Sequence, residues 1–135
     1  MIAADTNLVA YLLIQGQRTA VARRIYAADP DWVLPPLWRA EFLDVLVKSV
    51  RAGVLEQRQA REVWLSAAAL FGPREREPGG TEVLDTASRF GLTAYDAQFV
   101  AVALSAGVPL VTCDRRLQSA CPDHAVSPDS FLSAS

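Results

Sequence analysis

Histidine and lysine are almost missing from this chain, with one of each, His124 and Lys48, in 135 residues. A single histidine excludes the paired-histidine zinc pattern and argues against a Ser-His-Asp triad. Two cysteines, Cys113 and Cys121, are too few for a disulfide framework and fit a reducing cytoplasm. Long apolar runs are also lacking. The longest segment without Asp, Glu, Lys or Arg is 97–113, 17 residues broken by Gly107 and Pro109. A bilayer span needs about 20 apolar residues, so no membrane segment is expected. The N-terminal stretch carries Asp5 and no basic leader, so it is not expected to be a signal peptide. Charge of one sign is scarce too, at a net −2. That excludes a wholly basic nucleic-acid-coating protein and leaves room for a local basic patch. Twelve of the thirteen basic residues are arginine. An arginine-rich genome composition would give that count. Bidentate phosphate contact is its functional alternative.

What is present is a core. Hydrophobic residues make up 51% and charged residues 21%, enough to pack and too apolar for disorder. The length fits one domain, 1–135. Strands are expected at 1–4, 32–34, 109–113 and 125–126. Helices are expected at 8–14, 19–28, from Pro35-Pro36 to Ala52, 56–71, 81–90 and 93–106. A short helix after Asp114 and a helical turn at 128–132 complete the pattern. Gly53, Gly72-Pro73, Gly91 and Gly107 supply the stops. The charged run Arg74-Glu75-Arg76-Glu77 is expected to be a solvated loop. Strands alternating with helices predict an α/β fold: a short parallel sheet with helices on both faces, in three layers. Ligands of such sheets sit beyond the carboxyl ends of the strands.

Four acids fall at that edge. Asp5 ends the first strand, Glu41 lies near the start of the helix after the Trp32 strand, Asp96 sits in the first turn of the Thr93 helix, and Asp114 follows the Leu110-Val111-Thr112 strand. Each has an ordinary explanation. Asp5 and Asp114 suit helix N-caps, Asp96 suits a capping box with Thr93, and Glu41 suits a polar stripe with Asp44, Lys48 and Arg51. Two features favour chemistry instead. Phe99, Val100 and Ala103 surround Asp96 with apolar surface, and no Lys or Arg lies between Arg89 and Arg115 to pair with it locally. Clustered carboxylates repel and take up protons unless a cation joins them. The matching cation for an all-oxygen acidic site is Mg²⁺ or Mn²⁺. Such ions activate water and stabilise the leaving oxygen of a phosphodiester without a protein nucleophile. Thr112 shares a strand face with Asp114, and Thr6 and Asn7 follow Asp5; ordinary turn and cap chemistry is the competing reading, the stronger one for Thr6.

These residues resemble the PIN-domain ribonucleases and, within them, the VapC-type toxins of toxin–antitoxin pairs. The matching pieces are Asp5-Thr6-Asn7, Ala40-Glu41-Phe42-Leu43, Leu92-Thr93-Ala94-Tyr95-Asp96-Ala97 and Leu110-Val111-Thr112-Cys113-Asp114, in order along nearly the whole chain. The resemblance implies a PIN-like fold in which Asp5, Glu41, Asp96 and Asp114 hold one or two Mg²⁺ or Mn²⁺ ions. Thr112 corresponds to the family's hydroxyl residue near the last acid, and Asn7 to a polar position beside the first. It implies cleavage of a structured RNA such as a transfer RNA, a homodimer, and a cognate antitoxin. Some relatives carry a further Asp near the last one; here Arg115 and Arg116 follow Asp114.

Arg115 and Arg116 are placed to meet RNA phosphates or to form a solvated helix start. Arg18, Arg23 and Arg24 make a weaker second patch. Trp32, Trp38 and Trp64 are expected mainly in the core. Cys113 reads as a buried strand residue, Cys121 as a helix-end residue, and His124 has no assigned role. The helices from Leu37 and from Arg61 carry very broad apolar faces, with Leu37, Trp38, Phe42, Leu43, Val45, Leu46, Val47 and Val50 covering most of the first; this predicts an antitoxin or dimer contact, with a fully buried central helix as the competing reading. A haloacid-dehalogenase-type phosphatase needs an acid where Asn7 stands, and a receiver domain needs a late lysine; both fail here. The rivals within the resemblance are a free-standing PIN nuclease without antitoxin and an inactive PIN-like binding module.

Overall fold

The computed structural model describes residues 1–134. In chain order it contains β1 (Ile2–Ala4), α1 (Thr6–Leu13), α2 (Thr19–Ala28), β2 (Trp32–Val33), α3 (Trp38–Arg51), α4 (Gln57–Phe71) and α5 (Gly80–Phe90). Then come α6 (Ala94–Ala106), β3 (Leu110–Val111), α7 (Arg115–Ala120), β4 (Ala125–Val126) and α8 (Pro128–Ala134). A single 3₁₀ turn, Gly72–Arg74, follows α4.

All pairings are parallel, in the order β2-β1-β3-β4. Ile2 pairs with Trp32, Ala3 with Leu110, and Leu110 with Ala125. Every residue of β1 is buried although successive side chains point to opposite faces, so helices cover both sides. On one side α6, backed by α5, packs against β1 and β3. A second helical group joins α1 to α2, α3 and α4. This is the predicted three-layer α/β arrangement.

Local signals set the boundaries. The first helix begins at Thr6 rather than Leu8, because Asp5 caps it directly: its Oδ1 accepts the Leu8 N–H at 2.9 Å. The strand read over 109–113 pairs regularly only at Leu110–Val111. Its flanks still bond, Ala3 N–H to Pro109 O at 2.9 Å and Thr112 N–H to Val126 O at 3.0 Å. Gly107 ends α6 at φ +68°, a left-handed backbone that glycine adopts without a Cβ penalty.

Trp32 and Trp38 are fully buried, as expected, while Trp64 is half-buried. Trp32 stacks on Phe71 at 5.5 Å, and Trp38 meets Trp64 at 5.9 Å. Two expectations need correction. The 74–77 run is not simply solvated. Leu34 pairs with Glu75 in parallel, extending the sheet edge, and the Arg76 N–H donates to Leu34 O at 2.9 Å. Glu75 accepts from Trp38 Nε1 at 3.0 Å and from Arg39 at 2.7 and 2.8 Å. A buried indole N–H needs an acceptor, and the sequence-distant loop brings one. Cys113 is half-buried beyond the end of β3 rather than inside a strand, with Arg18 Nη2 3.4 Å from its sulfur. Cys121 is buried at the end of α7, as expected.

Candidate active site

The strand order contains a switch. From β1 the chain moves outward to β2, then returns to place β3 on the other flank of β1. The connections therefore diverge at the carboxyl ends of β1 and β3, leaving a crevice where ligands of such sheets bind. Asp5 leaves β1 at this crevice, and Thr112 and Asp114 leave β3. The start of α3 brings Glu41, and the first turn of α6 brings Asp96. All four acids line one cleft of about 170 Å³, with Thr6, Asn7, Val45, Phe99 and Leu117.

Hydrogen bonds tie these groups together across the chain. The Thr112 hydroxyl donates to Asp5 Oδ2 at 2.5 Å and accepts the Asp114 N–H at 3.0 Å. One fully buried side chain thus joins the ends of β1 and β3. The Thr6 hydroxyl donates to Glu41 Oε1 at 2.6 Å, joining α1 to α3. Thr6 therefore orients an acid of the cleft, which ordinary cap chemistry does not anticipate. Asp114 caps α7, accepting from Arg116 N–H at 2.8 Å. The Thr93 hydroxyl accepts the Asp96 N–H at 3.1 Å. The capping readings of Asp5 and Asp114 thus hold as well, and capping engages only part of each carboxylate.

Asp5 carries the largest electrostatic cost. Burial pushes its pKa up from the usual 3.8 to about 6. The bonds from Thr112 and Leu8 lower it, while the negative fields of Asp114 and Glu41 raise it further. No basic side chain within the cleft pairs with Asp5 among the described residues.

Known proteins share this fold. The model of the PIN domain family matches residues 2–121. The chain belongs to the PIN domain family. The crystal structure of PAE2754 from Pyrobaculum aerophilum superimposes with a TM-score of 0.75 at 25% identity, over 98% of this chain and 94% of that one. FitAcB from Neisseria gonorrhoeae gives 0.68 at 19% identity, over 95% and 98%. A toxin–antitoxin complex from Klebsiella pneumoniae gives 0.69 at 16% identity, again over 95% and 98%. These likenesses establish a shared fold. No curated protein sequence matches the chain. PIN membership places the protein among nuclease-type hydrolases.

In this PIN domain one arginine enters the acidic site. Arg116 Nη2 lies 3.2 Å from Asp114 Oδ2 and 3.7 Å from Asp96 Oδ2. Asp96 therefore has a basic partner after all, supplied by α7, two residues after the acid that caps it. The guanidinium is 79% exposed, whereas the two carboxylates are 29% and 26% exposed. Arg115, its neighbour, points to a different cleft, which it shares with Arg18. Asn7 lines the acidic cleft.

The donors around the cleft are carboxylate oxygens, which suit a hard divalent cation. An uncompensated buried carboxylate at Asp5 fits the same chemistry. Among the described residues, however, no three acids stand close enough in this arrangement to share one ion. Arg116 sits between two of them. Three of these acids could share one ion only after side-chain rotation.

Proposed function

We propose that the protein is a metal-dependent endoribonuclease of the VapC type, the toxin of a toxin–antitoxin pair, and that its RNA target is structured, such as a transfer RNA. One observation carries the reading: in a PIN domain, four acids from β1, α3, α6 and β3 line one cleft at the sheet switch point, and the most buried of them lacks a counter-ion. Asp5, Asp96 and Asp114 would hold one or two Mg²⁺ or Mn²⁺ ions, and Glu41 would join them or orient the attacking water. An ion bound there supplies activation of water and stabilisation of charge at the phosphodiester. Thr112 holds Asp5 and Asp114 in fixed relation through its two hydrogen bonds. Thr6 holds Glu41 toward the cleft. Asn7 would orient water or phosphate at the rim. Arg116, released from Asp96 and Asp114, would be free to meet a substrate phosphate.

The partner reading draws support from two sides. One structural neighbour is solved as a toxin–antitoxin complex, and another as FitAB bound to a DNA fragment, with a TM-score of 0.72 at 18% identity over 95% of each chain. In this chain, α3 and α4 form an apolar groove lined by Leu43, Leu46, Val47, Val50, Ala60 and Trp64, with Leu43 and Val47 left 42% and 44% exposed. Such a surface suits an apolar segment of an antitoxin. The chain is further proposed to pair with itself. No described helix is long and apolar enough to cross a membrane. The proposed site of action is the cytoplasm.

The test is cleavage of total cellular RNA by protein freed of any co-purifying partner, with Mg²⁺, with Mn²⁺ and with EDTA. Discrete products that require metal are expected. Asp96→Asn should lower the rate by more than about 100-fold, beyond what loss of an outer-shell partner costs. Cleavage that survives EDTA or Asp96→Asn rejects this site. No cleavage by folded, partner-free protein identifies an inactive binding module instead.

A further inference from the structure

Arg115 and Arg116 are adjacent in sequence and diverge in the fold. Arg116 joins the acids, whereas Arg115 has no ion-pair partner among the described residues. It lines a second cleft, of about 350 Å³, together with Tyr11, Arg18, Cys113, Gln118 and Asp129. Arg18 has no carboxylate ion-pair partner among the described residues either; its guanidinium lies 3.4 Å from the Cys113 sulfur and 5.9 Å from the centre of the Tyr11 ring. Two uncompensated guanidiniums, 97 positions apart in sequence, thus face one cleft, against the single acid Asp129.

The two clefts are contiguous. Cys113 and Arg115 flank Asp114, which lines the acidic one. Gln118 ties them together, donating from Nε2 to the Thr112 carbonyl at 2.7 Å. A polyanion approaching four carboxylates is repelled, and its binding requires positive charge nearby. The arginine pair supplies that charge on one side. Guanidiniums bind phosphate oxygens bidentately, and the Tyr11 ring, already facing Arg18, offers a surface for a base.

We propose that this cleft binds the phosphate and base of the nucleotide next to the scissile bond, so that the RNA strand leaves the acidic cleft over Asp114 toward Arg18. The proposal rests on the nuclease reading and assigns the direction of the strand.

The test is binding of a short fluorescein-labelled single-stranded RNA in EDTA, read by anisotropy over a range of NaCl concentrations. Without divalent metal the proposed chemistry does not run, so the readout is independent of cleavage. Arg18→Gln and Arg115→Gln should each weaken binding about five- to tenfold at low salt and reduce the steepness of the salt dependence by about 0.7. Arg18→Lys should recover part of that loss, since it keeps the charge without the fork. Arg58→Gln, on an exposed arginine of α4 that lines neither cleft, should change affinity by less than about twofold. Binding of Arg18→Gln and Arg115→Gln like wild type, equal weakening by Arg58→Gln, or no RNA binding by wild type would each overturn the proposal. If cleavage still requires Asp96 in those cases, the nuclease reading stands and only the subsite falls. If cleavage ignores Asp96 while the arginine variants bind weakly, the subsite stands without the nuclease.

Discussion

Asp5 and Glu75 are both carboxylates withdrawn from water, at opposite ends of the same functional question. Glu75 lies beside β2 with a bidentate Arg39 at 2.7 and 2.8 Å and the Trp38 indole N–H at 3.0 Å. Its pKa is held below the usual value, chiefly by the Arg39 bonds. Asp5 lies at the switch point, accepts a hydroxyl and one backbone N–H, and has no basic partner among the described residues; its pKa is raised to about 6. Glu75 is a finished structural joint, since its charge is matched within the fold. Asp5 is unfinished within the fold, and on the proposed function a divalent cation would supply the missing charge. A carboxylate left unmatched at a ligand-binding edge is the better guide to function than the number of acids there.

The strongest way to break this comparison is to neutralise Asp5. A raised folded pKa stabilises the fold fully below pH 3.8, the unfolded value, and that contribution is lost as pH rises through about 6. Asp5→Asn removes the charge and keeps a good N-cap. In EDTA it should be more stable than wild type at pH 7.5, by up to roughly 3 kcal/mol, with the difference vanishing below about pH 4. Denaturant melts at several pH values measure it. Mn²⁺ should then raise the melting temperature of wild type and not of Asp5→Asn. An Asp5→Asn protein less stable than wild type at pH 7.5 would show that the carboxylate is a structural joint like Glu75.

The second test works on the other carboxylate, with the opposite sign. Glu75→Gln keeps the shape and loses the charge. Arg39 is 41% exposed, so screening limits the loss to about 1 kcal/mol at pH 7. A lowered folded pKa contributes stability above the unfolded value and loses it as pH falls through the folded one. The gap between wild type and Glu75→Gln should therefore close in acid. Mn²⁺ should shift both melts equally, because Glu75 does not line the acidic cleft.

These contrasts also mark what a linear reading can reach. Strand ends and helix starts are local, set by caps, glycines and the spacing of apolar residues. Asp5, Glu41, Asp96 and Asp114 could therefore be assigned to one sheet edge before any fold was known, and they do line one cleft. Thr112 followed from period-two alternation. What escaped depends on which elements become neighbours. The Thr6 bond to Glu41 needs α1 against α3, and Arg116 beside Asp96 needs α7 against the start of α6. Arg18 meets Arg115 only because α2 begins beside the end of β3. Glu75 looked solvated because its partners, Trp38 and Arg39, stand 37 and 36 positions away. No caps or periodicities encode such pairings. They follow from the strand order β2-β1-β3-β4, which the strand sequences did not specify.

The smallest expected effect bears on how the chain itself holds the proposed cation site. The Arg116 guanidinium stands within 3.2 and 3.7 Å of Asp114 and Asp96, where it serves as a weak internal counter-ion. Because it is so exposed, its interaction is screened and worth no more than about 1 kcal/mol. Arg116→Gln should accordingly tighten Mn²⁺ binding by about two- to fivefold, measured by calorimetry without RNA. Arg115→Gln removes the same formal charge from the next residue without touching either acid, so its effect should be clearly smaller. Long-range charge alone would move both variants alike, because both lose one positive charge near the cleft. Only displacement from the carboxylates separates them. Equal affinities in the two variants would mean that Arg116 is a spectator and leaves Asp96 and Asp114 as unmatched as Asp5.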